Sequence, residues 1–129
     1  MTRSIFYLIN SWGELYGRGH TSTLQSGMET NWVSVAVIWD FRMVALKSDG
    51  TLWKWNNHVF PLDFTAPPTR MGIHNDWVAI VGTGNGVVSL AADGSLWYWP
   101  ARNLYEWSQP LLKLPKQPRF LGNVFGKAD

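Results

Sequence analysis

Apolar and polar residues along this chain alternate with period two, and no segment holds a helical period with caps at its ends. In "NWVSVAVI", Val33, Val35 and Val37 alternate with smaller residues, and Met43-Val44-Ala45-Leu46 forms a second short apolar run. Both patterns predict strands. Ser48-Asp49-Gly50 follows, and then "TLWKW", Thr51 to Trp55. Glycine tolerates the positive φ of a tight turn, and aspartate hydrogen-bonds its own backbone, so the triplet predicts a hairpin with Thr51 to Trp55 as the returning strand. The same events recur from Trp77 through Ala92-Asp93-Gly94 to "SLWYW", Ser95 to Trp99. Leu52 opposes Trp53 and Trp55 across its strand, and Leu96 opposes Trp97 and Trp99, so both returning strands need cover on both faces. Near the N-terminus, Arg3 precedes the apolar run Ile5 to Ile9, which Asn10 and Ser11 end before signal-peptide length. It reads as another strand.

The recurrence is a true internal repeat, which must be recognised before elements are counted. Asn31 to Trp55 aligns with Asp76 to Trp99: Trp32 falls on Trp77, Leu46 on Leu90, Asp49-Gly50 on Asp93-Gly94, Leu52 on Leu96, Trp53 on Trp97 and Trp55 on Trp99. A fainter copy precedes them, with Gly13, Leu15 and Tyr16 standing where Gly50, Leu52 and Trp53 do. It supplies the second half of a unit. "PKQPRFLGN", Pro115 to Asn123, echoes "APPTRMGIHN", Ala66 to Asn75, and reads as the lead-in to one more unit. The expected organisation is one partial domain over 1–129: a half-repeat at 4–30, repeats at 31–66 and 67–114, and the start of the next at 115–129. Prolines 61, 67 and 68, and 100, 110, 115 and 118, cluster between units, where a fixed φ and a missing donor suit loops and edge strands.

Composition narrows the functional classes. With 129 residues and 46% hydrophobic content, one compact domain is expected; a net charge of +2 with 16% charged residues demands neither nucleic acid nor an anionic membrane. The absence of cysteine removes disulfides, thiolate zinc sites and a cysteine nucleophile. No apolar run approaches the roughly 18 residues of a spanning helix, and a cytoplasmic location is the expectation.

"NWVSVAV…MVALKSDGTLWKW" resembles the repeat of the regulator-of-chromosome-condensation family, over roughly Ile5 to Gly122. The resemblance implies β-propeller blades. It departs from the family pattern after the tryptophan pairs, where Asn56-Asn57-His58 and Pro100-Ala101-Arg102 replace a glycine-rich stretch. Nothing in it resembles the wedge through which some eukaryotic relatives act on a small GTPase. A blade takes about 40 to 45 residues and a closed ring at least about four blades, so this chain holds about three. It could be a piece of a longer protein, an unclosed stack, or one part of a ring shared by several copies; the initiating Met1 and the half-repeats at the two ends favour a ring completed by oligomerisation, as a dimer of about three blades each. An open chain would expose tryptophan-rich sheet faces.

Site chemistry is sparse. His20, His58 and His74 are too scattered for a metal site, and no cofactor is expected. "GTGNG", Gly82 to Gly86, leads into Val87-Val88 rather than into a helix, so it reads as a loop between strands and not as a phosphate cradle. No nucleophile, base and orienting group share a motif, and Asp49 and Asp93 are turn formers, so the chain is read as no enzyme. Lys113, Lys116, Arg119 and Lys127 make a modest basic tail with little aromatic interleaving, which reads as solvated surface rather than a nucleic-acid interface. The repeat-register tryptophans, Trp32, Trp53, Trp55, Trp77, Trp97 and Trp99, read as packing between blades. Off register stand Trp12, the segment Trp39-Asp40-Phe41-Arg42, and the pair Tyr105 and Trp107. Aromatics and arginine in a loop are the residue types of binding hot spots. Those in the segment and the pair serve either a protein partner or the contact between chains. Two functions follow: a non-enzymatic, oligomeric scaffold that presents loops to a protein partner, or a carbohydrate-binding propeller using equivalent surface aromatics in successive blades.

Overall fold

A computed structural model describes residues 6–18, 23–25, 29–38, 42–55, 68–100 and 118–126. Every regular element among them is a strand. The order is β1 (Phe6–Ile9), β2 (Leu15–Arg18), β3 (Thr23–Gln25), β4 (Trp32–Ile38), β5 (Arg42–Lys47), β6 (Leu52–Lys54), β7 (Thr69–Met71), β8 (Trp77–Gly82), β9 (Gly86–Ala91), β10 (Ser95–Pro100) and β11 (Arg119–Asn123). They form three antiparallel meanders: β1-β2-β3, then β4-β5-β6-β7, then β8-β9-β10-β11. The turns at Asp49-Gly50 and Asp93-Gly94 join β5 to β6 and β9 to β10.

Strand pairing makes the repeats superimposable position by position. Leu46 lies opposite Leu52 and Leu90 opposite Leu96, while Trp32 lies opposite Lys47 and Trp77 opposite Ala91. Both copies carry a register shift just after the leading tryptophan, between Trp32 and Ser34 and between Trp77 and Ala79. In the first sheet, Ile9 lies opposite Leu15, as Leu46 does opposite Leu52. Strands β1, β2 and β3 therefore correspond to β5, β6 and β7.

The sheets and the sequence units are out of phase. Thr69–Met71 pairs with β6, and Arg119–Asn123 pairs with β10, so each closes the sheet before it. Arg119–Asn123, within the segment read from sequence as a lead-in to a further unit, is the outer strand of the third sheet. The Val124 N–H donates to the Gly94 carbonyl at 2.8 Å, and Trp32 and Trp77 donate in the same way to Gly13 and Gly50, each at 3.1 Å.

Two apolar seams hold the sheets face to face. One gathers Leu15, Trp32, Met43, Ala45 and Trp55, flanked by Tyr7, Ile9, Val35 and Trp53. It joins the first sheet to the second, and burial there pushes the Tyr7 phenol up to about 12. The other gathers Ala36, Val44, Leu46, Leu52 and Met71 of the second sheet against Trp77, Val87, Ala91 and Trp99 of the third. Trp32 meets Trp55 at 5.6 Å between ring centroids, and Trp77 meets Trp99 at 6.0 Å. Each pair faces back towards the preceding sheet, and the leucines of the same strands face forward. Sheets stacked face to face in series are the arrangement of propeller blades.

Candidate binding site

The turn that opens each returning strand is built as a relay. Asp93 Oδ1 accepts the Ser95 N–H at 2.9 Å and the Ser95 hydroxyl at 2.5 Å, and Ser95 Oγ accepts the Trp97 indole N–H at 2.9 Å. Asp49, Thr51 and Trp53 repeat this at 3.1, 2.6 and 2.7 Å. The hydroxyl therefore serves as donor to the carboxylate and acceptor from the indole, which neither alanine nor valine could do. The Thr51 hydroxyl, aided by the Thr51 amide and the charges of Lys47 and Arg70, holds the Asp49 carboxyl below its usual range despite slight desolvation. In the first sheet Asn10 takes over: its Oδ1 accepts the N–H groups of Trp12 and Glu14, each at 3.0 Å, and its Nδ2 donates to Glu14 Oε1 at 2.6 Å. Trp12 stands exposed on that turn.

At the third sheet the relay forms one wall of a cavity of about 220 Å³. His74 and Asp76, just before β8, line it together with Trp77, Ala91, Asp93, Ser95, Trp97 and Pro118. Trp77 is buried, and its indole N–H finds no acceptor among the described residues. His74 stands edge-on to Trp77 at 5.8 Å, with its Nδ1 3.8 Å from Asp76 Oδ1. Arg70 fixes the approach by donating to the carbonyls of Ile73 and His74 at 3.2 and 3.3 Å. On the other side Trp97 meets Phe120 edge-on at 5.2 Å. The cavity thus combines two indoles, two carboxylates and an imidazole. That set suits an apolar stem that ends in a cation.

Trp39, Asp40, Phe41, Tyr105 and Trp107, the loop residues singled out from sequence, lie outside the described residues, and Arg42 is placed as the first residue of β5. Gly82 to Gly86 joins β8 to β9, with Thr83 donating to the Gly86 carbonyl from its N–H at 2.9 Å and from its hydroxyl at 3.2 Å. Trp53, Trp55, Trp97 and Trp99 all lie on the backward faces of their sheets. Sequence reasoning missed the cavity. The signal that could have found it is a single exchange at the residue two before the turn aspartate, lysine at 47 in one copy and alanine at 91 in the other.

No protein-family model matches the chain, and no curated protein matches its sequence. Solved structures do match. Human WBSCR16 is similar with a TM-score of 0.66 and 18% identity, over 97% of this chain and 37% of its own. Yeast RCC1 (Prp20), in a crystal structure bound to Kap60, is similar with a TM-score of 0.60 and 14% identity, over 95% of this chain and 36% of its own. The chain spans little more than a third of either protein.

Proposed function

From its RCC1-like β-propeller fold, we propose that this chain is a non-enzymatic protein-interaction module whose ring is completed by a second copy of itself. One observation carries the reading: the forward face of the third sheet is built like that of the second, but it lies open. Ala36, Val44, Leu46 and Leu52 are buried beneath the third sheet, whereas Val81, at the position of Ala36, is 58% exposed. Val88, Leu90 and Leu96, at the positions of Val44, Leu46 and Leu52, are half-buried. The backward face of the first sheet is open too. Leu8, at the position of the fully buried Ala45, is 46% exposed.

Forward faces pack on backward faces throughout this chain, so one copy's third sheet fits another's first. Two copies with three sheets each give six, inside the usual range of about four to eight, and a two-fold axis closes the ring. The yeast neighbour was crystallised with a protein bound, which supports a ring that presents its surface to a protein. A carbohydrate-binding propeller would carry equivalent aromatic sites in successive sheets. Here Lys47 lies over Trp32 and Trp53, while the matching space at Trp77 and Trp97 is open. Light scattering coupled to size exclusion tests the reading: a dimer mass is expected, and a monomer that stays soluble at low concentration overturns it. Strong, competable binding on a glycan array would replace the protein partner with a sugar.

A further inference from the structure

The two full sheets differ at one position in a way that names a ligand. In the second sheet, Lys47 lies opposite Trp32 and lays its side chain across the seam end, with Nζ 5.0 Å from the Trp32 ring centroid and 4.3 Å from that of Trp53. Its ammonium is ion-paired with Glu29. The third sheet repeats Trp32 and Trp53 as Trp77 and Trp97, but Ala91 stands where Lys47 does. The backbone around the two positions is the same. The N–H of Ser48, after the lysine, donates to the Asn31 carbonyl at 2.8 Å, and the N–H of Ala92, after the alanine, donates to that of Asp76 at 2.9 Å. The cavity of about 220 Å³ is thus the room that a lysine side chain fills one sheet earlier.

The charge partner is retained in a new place. Glu29 lies three residues before Trp32, and three before Trp77 stands His74; one before Trp77 stands Asp76, where the second sheet has the neutral Asn31. The carboxylate has moved two positions along the same entry segment, and Asp76 and Asp93 both line the opening. Two indoles and two carboxylates around this space attract an ammonium ion, because the ring quadrupoles and the acids act on it together.

We propose that this pocket receives a lysine side chain of a protein partner, seated between Trp77 and Trp97 with its ammonium towards Asp76, as Lys47 sits between Trp32 and Trp53. The proposal rests on the reading of the chain as a protein-interaction module and supplies its partner's chemistry. Lysine fits better than arginine because the occupant of the sibling site is an ammonium on a four-carbon stem. The chain supplies its own positive control: Ala91→Lys should rebuild the second-sheet arrangement and close the pocket from within.

The test is a titration of the full chain with Nα-acetyl-lysine methylamide, followed by the indole N–H resonances of the tryptophans. Saturable shifts at Trp77 and Trp97, larger than those at Trp32 and Trp53, are expected. Acetylating the probe's Nε removes the cation and should weaken binding by about tenfold. Asp76→Asn, on an exposed side chain, should weaken it by about two- to fivefold. Ala91→Lys should abolish it while keeping the melting temperature at or above that of the parent. Equal binding of the acetylated probe, undiminished binding to a folded Ala91→Lys variant, or shifts that spare Trp97 would each overturn the proposal. These outcomes leave the mass measurement untouched, and a monomeric mass leaves the titration untouched, so the two readings fail separately.

Discussion

Trp99 and Trp77 occupy one seam, yet their indole N–H groups have different fates. Trp99 Nε1 donates to Ser89 Oγ at 2.8 Å, and Ser89 is fully buried; the Trp77 N–H has no acceptor among the described residues. Replacing Trp99 by Phe leaves a buried hydroxyl without its donor, which costs about 1–3 kcal/mol. Trp77→Phe removes a group that was already unpaired. Denaturant titration should therefore find Trp99→Phe less stable than Trp77→Phe by about that amount, and equal losses would contradict the assignment. Asp49 carries a second prediction at this scale. Its folded carboxyl is held low, chiefly by the Thr51 hydroxyl, so its contribution is present above the unfolded value near 4 and fades as pH falls through the lower folded value. Asp49→Asn should flatten the fall in melting temperature between about pH 5 and about pH 2; an unchanged acid arm would refute it.

Among the elements, the hairpin turn is where one sheet is pinned to the next. Gly50 has φ 85°, and a Cβ added there would stand 2.0 Å from the Asn75 carbonyl oxygen, in the segment that leads into β8. The close approach exists because the Trp77 N–H donates to the Gly50 carbonyl across the seam. Gly84, in the loop between β8 and β9, has a similar φ of 89° and nothing within 4 Å of the same added atom. Alanine at Gly84 should cost about 1–2 kcal/mol, the strain of left-handed backbone alone. At Gly50 it must also displace Asn75 and break the pinning bond, for a loss of about 3 kcal/mol or more. Chemical denaturation of the two variants separates conformational freedom from close approach; matching losses would mean that the seam yields to the extra methyl.

For the molecule as a whole, the proposed assembly turns on two open sheet faces. Among the described residues, three sheets in series leave one forward and one backward face without a neighbouring sheet, and both carry apolar side chains at positions that are buried elsewhere in the repeat. Val81→Glu places a charge on the forward face, where no described contact within the chain needs the valine. If a second copy covers that face, the variant should run as a monomer with its strand content unchanged by circular dichroism. A dimer that survives Val81→Glu would move the contact elsewhere on the molecule.

The residues by themselves determined the strand pattern, both hairpin turns and the repeat, because period-two alternation and the aspartate-glycine-hydroxyl turn act over a few neighbouring positions. They also determined that Leu52 and Trp55 need cover on opposite faces, since adjacent strand residues point apart. Three things were decided only in three dimensions. The phase of the repeat against the sheets depends on which strand Thr69–Met71 and Arg119–Asn123 pair with across their proline-rich approaches, and pairing over such distances leaves no local mark. The carboxylates of Asp76 and Asp93 come together only because the entry to β8 is tied to the β9-β10 turn. And the exchange of Lys47 for Ala91, a small change along the chain, becomes a cavity only where two tryptophans stand on either side of the missing stem.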